Sequence, residues 1–381
     1  MSHAPGLYLH VPFCARACPY CDFDFQVGRR PPVDAYLQGL ERERLARSLP
    51  TGMPVHTVYV GGGTPSLLGA EGLRRLWAWI DRSFGTDAAV ERTVELNPEH
   101  VDGPLLDALV EAGVDRVSLG VQSLRAEALV QLGRVHRAAQ AEGALRAAAA
   151  RGLRVSADLI VGRPGQSEAE LVADVEGLLH AGVEHVSVYA LTVEEGTPWE
   201  RLVQRGTRAQ PDPDAQADRL GQAAARLEAA GLVHYEVASY AREGARARHN
   251  LGYWQWRDYL GLGPSAASAR FDAQGAVARR TNARGFERWV DDPGGRASEE
   301  RLDPRAAAVE GLWVGLRVLT GLDAAAYLRR FPAVDEDWLR ARVAPQVERG
   351  NLEWAGGMLR VAADRWLWHD EIGAALLDPA P

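Results

Sequence analysis

The chain has 381 residues, 46% hydrophobic and 25% charged, enough to bury a full-sized core and, by length, one large domain plus a smaller one. Its formal net charge of -8 argues against a broad nucleic-acid surface, which needs a net basic face. All 43 basic residues are arginine, which excludes a Schiff-base, pyridoxal-phosphate or P-loop lysine, and no apolar run approaches the ~20 residues of a membrane span. The opening MSHAPGLYLHVPFC has no basic stretch leading into a long apolar one, so no signal peptide and a cytoplasmic location are expected. Up to about residue 240 one unit repeats: a β-rich run, turn residues, an amphipathic helical pattern and a glycine stop. The runs are Leu7 to Phe13, Val55 to Gly63, Glu91 to Pro98, Arg116 to Ser123, Arg154 to Gly162 and His185 to Thr192. Gly113, Gly152, Gly182 and Gly231 each follow a helical pattern and precede an apolar residue and a strand, as left-handed helix C-caps do. Strands alternating with helices at this spacing predict βαβ units and a parallel sheet. Six units suggest an α/β fold built as a partial (β/α)6 barrel over residues 1–240, although periodicity alone also permits a doubly wound sheet. A tryptophan- and glycine-rich extension over 241–300 follows, with Pro293, Gly294 and Gly295 as a loop, and then a small helix-rich C-terminal domain over 301–381.

The three cysteines all fall within eight residues, at Cys14, Cys18 and Cys21, and an odd, clustered set is not a disulfide framework. The spacing Cys-x3-Cys-x2-Cys lets one short loop wrap one metal group. Structural zinc normally takes four protein ligands, so His3 or His10 would have to complete a zinc set. A [4Fe-4S] cluster also usually takes four thiolates. Three leave one iron open, and the amino and carboxylate groups of S-adenosylmethionine (SAM) can chelate it. The cluster with SAM is the reading this spacing favours.

This loop after the first strand resembles the hallmark of the radical SAM superfamily. The resemblance implies a partial barrel with the cluster at the carboxyl rim of its strands, where barrel sites are built. It also implies that the glycine-rich turn Gly61, Gly62, Gly63, Thr64 and Pro65 holds the amino group of SAM. Glu95 and Asn97 at the end of the third strand, Gln122 on the fourth and Asp158 on the fifth become SAM contacts, the carboxylates suited to ribose hydroxyls. Tyr8 and Ala190 join that set, and Arg134 suits the SAM carboxylate.

The strings LYLHVPFCARACPYCDF, GGGTPS, VELNPE, SLGVQS, LGRVH, DLIVGRPGQS and HNLGYW resemble, in order and spacing, one family within the superfamily. It contains oxygen-independent coproporphyrinogen III oxidase and a relative that is a heme chaperone. The oxidase pattern has a further cysteine two residues past the third, where this chain has Phe23. HNLGYW (His249 to Trp254) looks like the chaperone branch's signature, associated there with heme binding: His249 offers an imidazole to iron, and Tyr253 and Trp254 offer faces to a porphyrin. Two departures are visible: Arg163 stands where the family has an apolar residue, and Ala267 where the chaperone branch often has histidine. The resemblance therefore implies a heme chaperone that passes heme to an acceptor protein, membrane-associated or not. The alternative is a radical SAM oxidoreductase of the coproporphyrinogen oxidase type.

Overall fold

The structure, a computed structural model, describes residues 4–295 and 297–377. The six expected strands all form: β1 (Gly6–Val11), β2 (Thr57–Gly62), β3 (Arg92–Leu96), β4 (Arg116–Gln122), β5 (Arg154–Val161) and β6 (His185–Ala190). They lie side by side in chain order, and every neighbouring pair is parallel. The helices between them include α1 (Val33–Ala46), which follows the cysteine loop, and α2 (Gly69–Ser83), which joins β2 to β3. Leu73, Leu76, Trp77 and Ile80 of α2 recur at helical spacing and are all fully buried against the sheet. The four glycine stops have φ between 69° and 83°, the left-handed conformation that a C-cap requires.

Strand parity explains how this sheet can carry a site. On β4 the odd residues Val117, Leu119 and Val121 are fully buried in the main core. The even residues Arg116, Ser118, Gly120 and Gln122 face an internal cavity instead. Side chains alternate across a strand, so one apolar face binds the helices while the other presents polar groups inward. The same alternation puts Asp158 of β5 and Ser187 of β6 on the cavity side.

The sheet does not close on itself. Beyond β6 lies the hairpin β7 (Val233–Glu236) and β8 (Ser239–Ala241), antiparallel to it. On the other flank β9 (Tyr259–Leu262) pairs in parallel with β1, and β10 (Ala267–Phe271), β11 (Val277–Asn282) and β12 (Ala297–Leu302) continue antiparallel, giving twelve strands in one open sheet. The tryptophan- and glycine-rich segment therefore extends the barrel sheet at β1. Glu43 of α1 fixes that junction: wholly buried, it accepts from Trp289 Nε1 (2.9 Å), Asn282 Nδ2 (2.7 Å) and the Gly263 amide (2.9 Å) and pairs with Arg47 (2.9 Å).

A second core gathers around Pro304–Gly315, Ala324–Arg330, Glu336–Glu348 and His369–Leu377, with a three-stranded sheet formed by Leu322–Asp323, Leu352–Ala355 and Met358–Val361. The carboxyl-terminal region is helix-rich, as expected, with that small sheet in addition. Among the described residues no helix is long and apolar enough to cross a membrane.

Candidate functional site at the carboxyl ends of the strands

β1 runs through Pro12 into a two-residue strand, Phe13–Cys14, which pairs in parallel with Gln26–Val27. That pairing closes the base of the loop holding the cysteines. Phe13 anchors it, its ring in edge contact with Tyr36 and Phe286. The Cys21 amide donates to the Cys18 carbonyl across a tight turn (3.3 Å). All three thiols line one cavity of about 420 Å³, together with Gly62, Gly63, Thr64, Glu95, Gln122, Arg134, Asp158 and Ala190. Pro65 and Asn97 line it too, so of the fifteen residues named for cluster and SAM all but Gly61 and Tyr8 are brought together at the carboxyl rim.

The glycine turn has a steric reason at two positions. Gly62 has φ 110°, and a Cβ there would lie 2.7 Å from the His10 ring; a Cβ on Gly63 would lie 2.8 Å from the Phe13 carbonyl oxygen. Only glycine lets this turn nest against the cysteine loop. Gln122 is a non-glycine residue at φ 65°, beside a register irregularity between β4 and β5. Such strain is characteristic of residues aimed into a site.

Burial pushes the Cys14 thiol up, and the Cys21 thiol up to about 11. Thiolates at neutral pH therefore need a cationic partner, as a bound metal group supplies. Arg134 contributes part of that field: Nη1 lies 3.7 Å from Cys18 Sγ, while Nη2 donates to Asn97 Oδ1 (2.7 Å) and the Gly120 carbonyl (2.9 Å). Burial opposes ionisation of Glu99, yet His136 and Arg134 hold its carboxyl down at about 2. The donor set fits a cluster better than a single zinc. Among the described residues no three cysteine, histidine or acidic side chains gather around one ion position, whereas a cluster gives each thiolate its own iron. His3 lies outside the described residues, and His10 uses both ring nitrogens, on the Tyr8 hydroxyl (3.0 Å) and the Asp24 carbonyl (2.9 Å).

Two carboxyls stand in the floor of the cavity. Glu95 accepts from the Tyr59 hydroxyl (2.7 Å) and the Gly62 amide (3.1 Å); burial, reinforced by Asp158, pushes it up to about 7. Asp158 is pushed up to about 6 by burial, with Arg116 opposing. Both can accept hydroxyl donors once ionised. Because the folded state keeps a proton on Glu95 that the unfolded chain releases near pH 4.5, stability falls as pH rises from 4.5 to 7. Glu95→Gln is therefore expected to exceed the parent in stability by ~3 kcal/mol above pH 8, with the advantage vanishing near pH 4.5. Denaturant titrations across that range check it, and a pH-independent difference would contradict it.

Tyr8, His249, Tyr253, Trp254 and Arg163 fall elsewhere. Tyr8 does not line this cavity; it sits behind Tyr59 (ring centroids 6.1 Å apart) on a neighbouring cavity of about 450 Å³, which Tyr253 and Trp254 also line. His249 lies at the amino ends of the strands, against Thr57 and Gly6, away from the cysteines. Its Nδ1 bonds the Thr57 hydroxyl (2.8 Å), its Nε2 bonds the Tyr253 hydroxyl (2.7 Å), and burial pushes its pKa down to about 3. Neither nitrogen is free for iron in this arrangement. Arg163 is buried, pairs with Glu170 (2.7 Å) and donates to Gln131 (3.1 Å). Tyr59, Arg116, Ser118, Ser187 and Asn250 also line the cysteine cavity. For Arg116 and Ser118 the available signal was parity with Gln122 on the same strand, whereas Tyr59 and Ser187 are placed by register, opposite Tyr8 and Asp158.

Three free cysteines on a loop at the carboxyl rim of a parallel sheet define a radical SAM protein, and a profile of the radical SAM superfamily matches residues 8–178. The curated heme chaperone HemW of Mycobacterium tuberculosis is 45% identical over 267 residues, 68% of each chain. HemW of Bacillus subtilis is 36% identical over 68% of this chain and 69% of its own, and HemW of Synechocystis 33% identical over 91% and 85%. The chain belongs to this HemW family of the radical SAM superfamily. Among solved structures, coproporphyrinogen III oxidase (HemN) from Escherichia coli, a radical SAM enzyme, matches with a TM-score of 0.81 over 98% of this chain and 90% of that one. At 22% identity it shares the fold.

Proposed function

We propose that this protein carries heme and transfers it to an acceptor protein in the cytoplasm or at a membrane, with a [4Fe-4S] cluster on Cys14, Cys18 and Cys21 and SAM beside it. The observation that carries the choice is Phe23. Where the oxidase pattern has a further cysteine, this chain has an aromatic side chain on the wall of the cysteine cavity, 62% exposed. The names of its relatives point the same way.

When bound, a reduced cluster would supply an electron to SAM. The chain's own residues bind and orient. Gly62, Gly63 and Thr64 would admit the amino group of SAM against backbone. Glu95 and Asp158 would accept ribose hydroxyls, and Gln122 and Ala190 would complete the wall. Arg134, partly engaged by Asn97, would meet the SAM carboxylate. For heme, Tyr253 and Trp254 would supply aromatic faces; His249 could ligate iron only by giving up Thr57 or Tyr253.

Titrating the reconstituted protein with hemin is expected to shift the Soret band saturably. The oxidase reading has its own support, since the three cluster cysteines and the residues assigned to SAM are all present. It predicts vinyl product from coproporphyrinogen under anaerobic, reducing conditions with SAM. Vinyl product without a Soret shift would replace the carrier by the enzyme.

A further inference from the structure

A second cavity, of about 1050 Å³, stands apart from the one at the cysteines. It lies at the amino end of β1, where the Gly6 amide bonds the Asp258 carbonyl, between the segment after HNLGYW, the β10–β11 turn and the second core. Its lining includes the apolar Trp254, Trp256, Phe271 and Met358 together with five arginines and three aspartates, a surplus of two positive charges.

Which arginines are engaged decides what the cavity can take. Arg330 donates to the Trp256 carbonyl (2.9 Å) and Asp258 (3.0 Å) and covers the Phe271 ring. Arg301 pairs with Asp272 (3.4 Å), and Asp323 caps the helix that follows it by accepting from the Ala326 amide. Among the described residues, Arg257, Arg270 and Arg329 find no side-chain hydrogen-bond or salt-bridge partner, although the Asp258 charge acts on Arg257. Guanidinium groups beside a broad aromatic wall suit a flat, apolar ligand bearing two carboxylates.

Resting on the heme-carrier reading, we propose that this cavity is the heme dock: the macrocycle lies along the apolar lining given by Trp254, Trp256 and Met358, and Arg257 and Arg270, with Arg329 near, hold the two propionates. It assigns the HNLGYW segment a wall, through Trp254, and leaves His249 its structural bonds to Thr57 and Tyr253.

The test titrates the full-length parent and the Arg257→Gln/Arg270→Gln double variant with hemin, and the parent with hemin dimethyl ester. Cluster uptake from iron and sulfide, read at the far end of the barrel, confirms that the variant folds. The double variant is expected to bind hemin at least about tenfold more weakly, and the parent to bind the ester correspondingly weakly, since charge-assisted hydrogen bonds are lost in both. Parent-like hemin affinity in the folded double variant, or equal affinity of the parent for ester and diacid, overturns the dock and leaves the carrier reading standing. A parent that shows no Soret shift at all overturns the carrier reading and the dock with it.

Discussion

Cys18→Ser protein, reconstituted anaerobically with iron and sulfide, is expected to retain less than about a tenth of the parent's iron, because three thiolates are the whole ligand set of such a cluster. The structure leaves no substitute. The chain has no fourth cysteine, and His10 is locked between Tyr8 and Asp24. Asp24 is itself spent on the Ser265 hydroxyl and the Gly285 amide, both at 2.7 Å. Cys18 is also the thiol facing Arg134, so its loss leaves that buried guanidinium without the sulfur it faces. Iron and acid-labile sulfide assays with the visible absorption band measure the effect. Iron content near the parent's would show that the metal group is held elsewhere.

Glu43→Ala is expected to be the most damaging single substitution for stability, by about 3–5 kcal/mol, since it breaks a buried ion pair from one side. It would also strand the Trp289 indole and the Gly263 amide, buried donors to that carboxylate, while Asn282 Nδ2 keeps the Gly263 carbonyl at 2.8 Å. Arg47 keeps the Gly261 carbonyl and the Ser268 hydroxyl, which softens the loss. Glu43→Gln retains part of the set and should lie between. Guanidinium unfolding midpoints at constant slope decide it; an alanine variant within about 1 kcal/mol of the parent would mean that this junction contributes little.

The barrel was legible because its strands are short apolar runs punctuated by glycine stops, both local signals. The cysteine cavity was legible because three thiols and a glycine turn must sit at strand ends to converge, and they do. Tyr8 stands apart from that cavity for a different reason. It faces the barrel interior with the right parity, but Tyr59 on the adjacent strand stands between it and the cavity, and only the register Tyr8 to Tyr59 reveals that. The destination of β9 to β12 was also hidden, since nothing local in HNLGYWQWRDYLGLG says that Tyr259 will pair with Gly6, some 250 residues earlier. His249 shows the same limit at the level of one ring: its residue type permits iron ligation, while its partners are fixed by Thr57 and Tyr253 in three dimensions.

β1 starts beside His249 and ends at the cysteine loop. Its six residues span ~17 Å. A metal group on the cysteines and an iron in the dock beyond Trp254 would therefore sit at the two poles of one strand, with packed protein between them. Occupancy of one pole could then be changed without rebuilding the other, so iron loading at the cysteines and hemin uptake in the dock are expected to be separable by mutation.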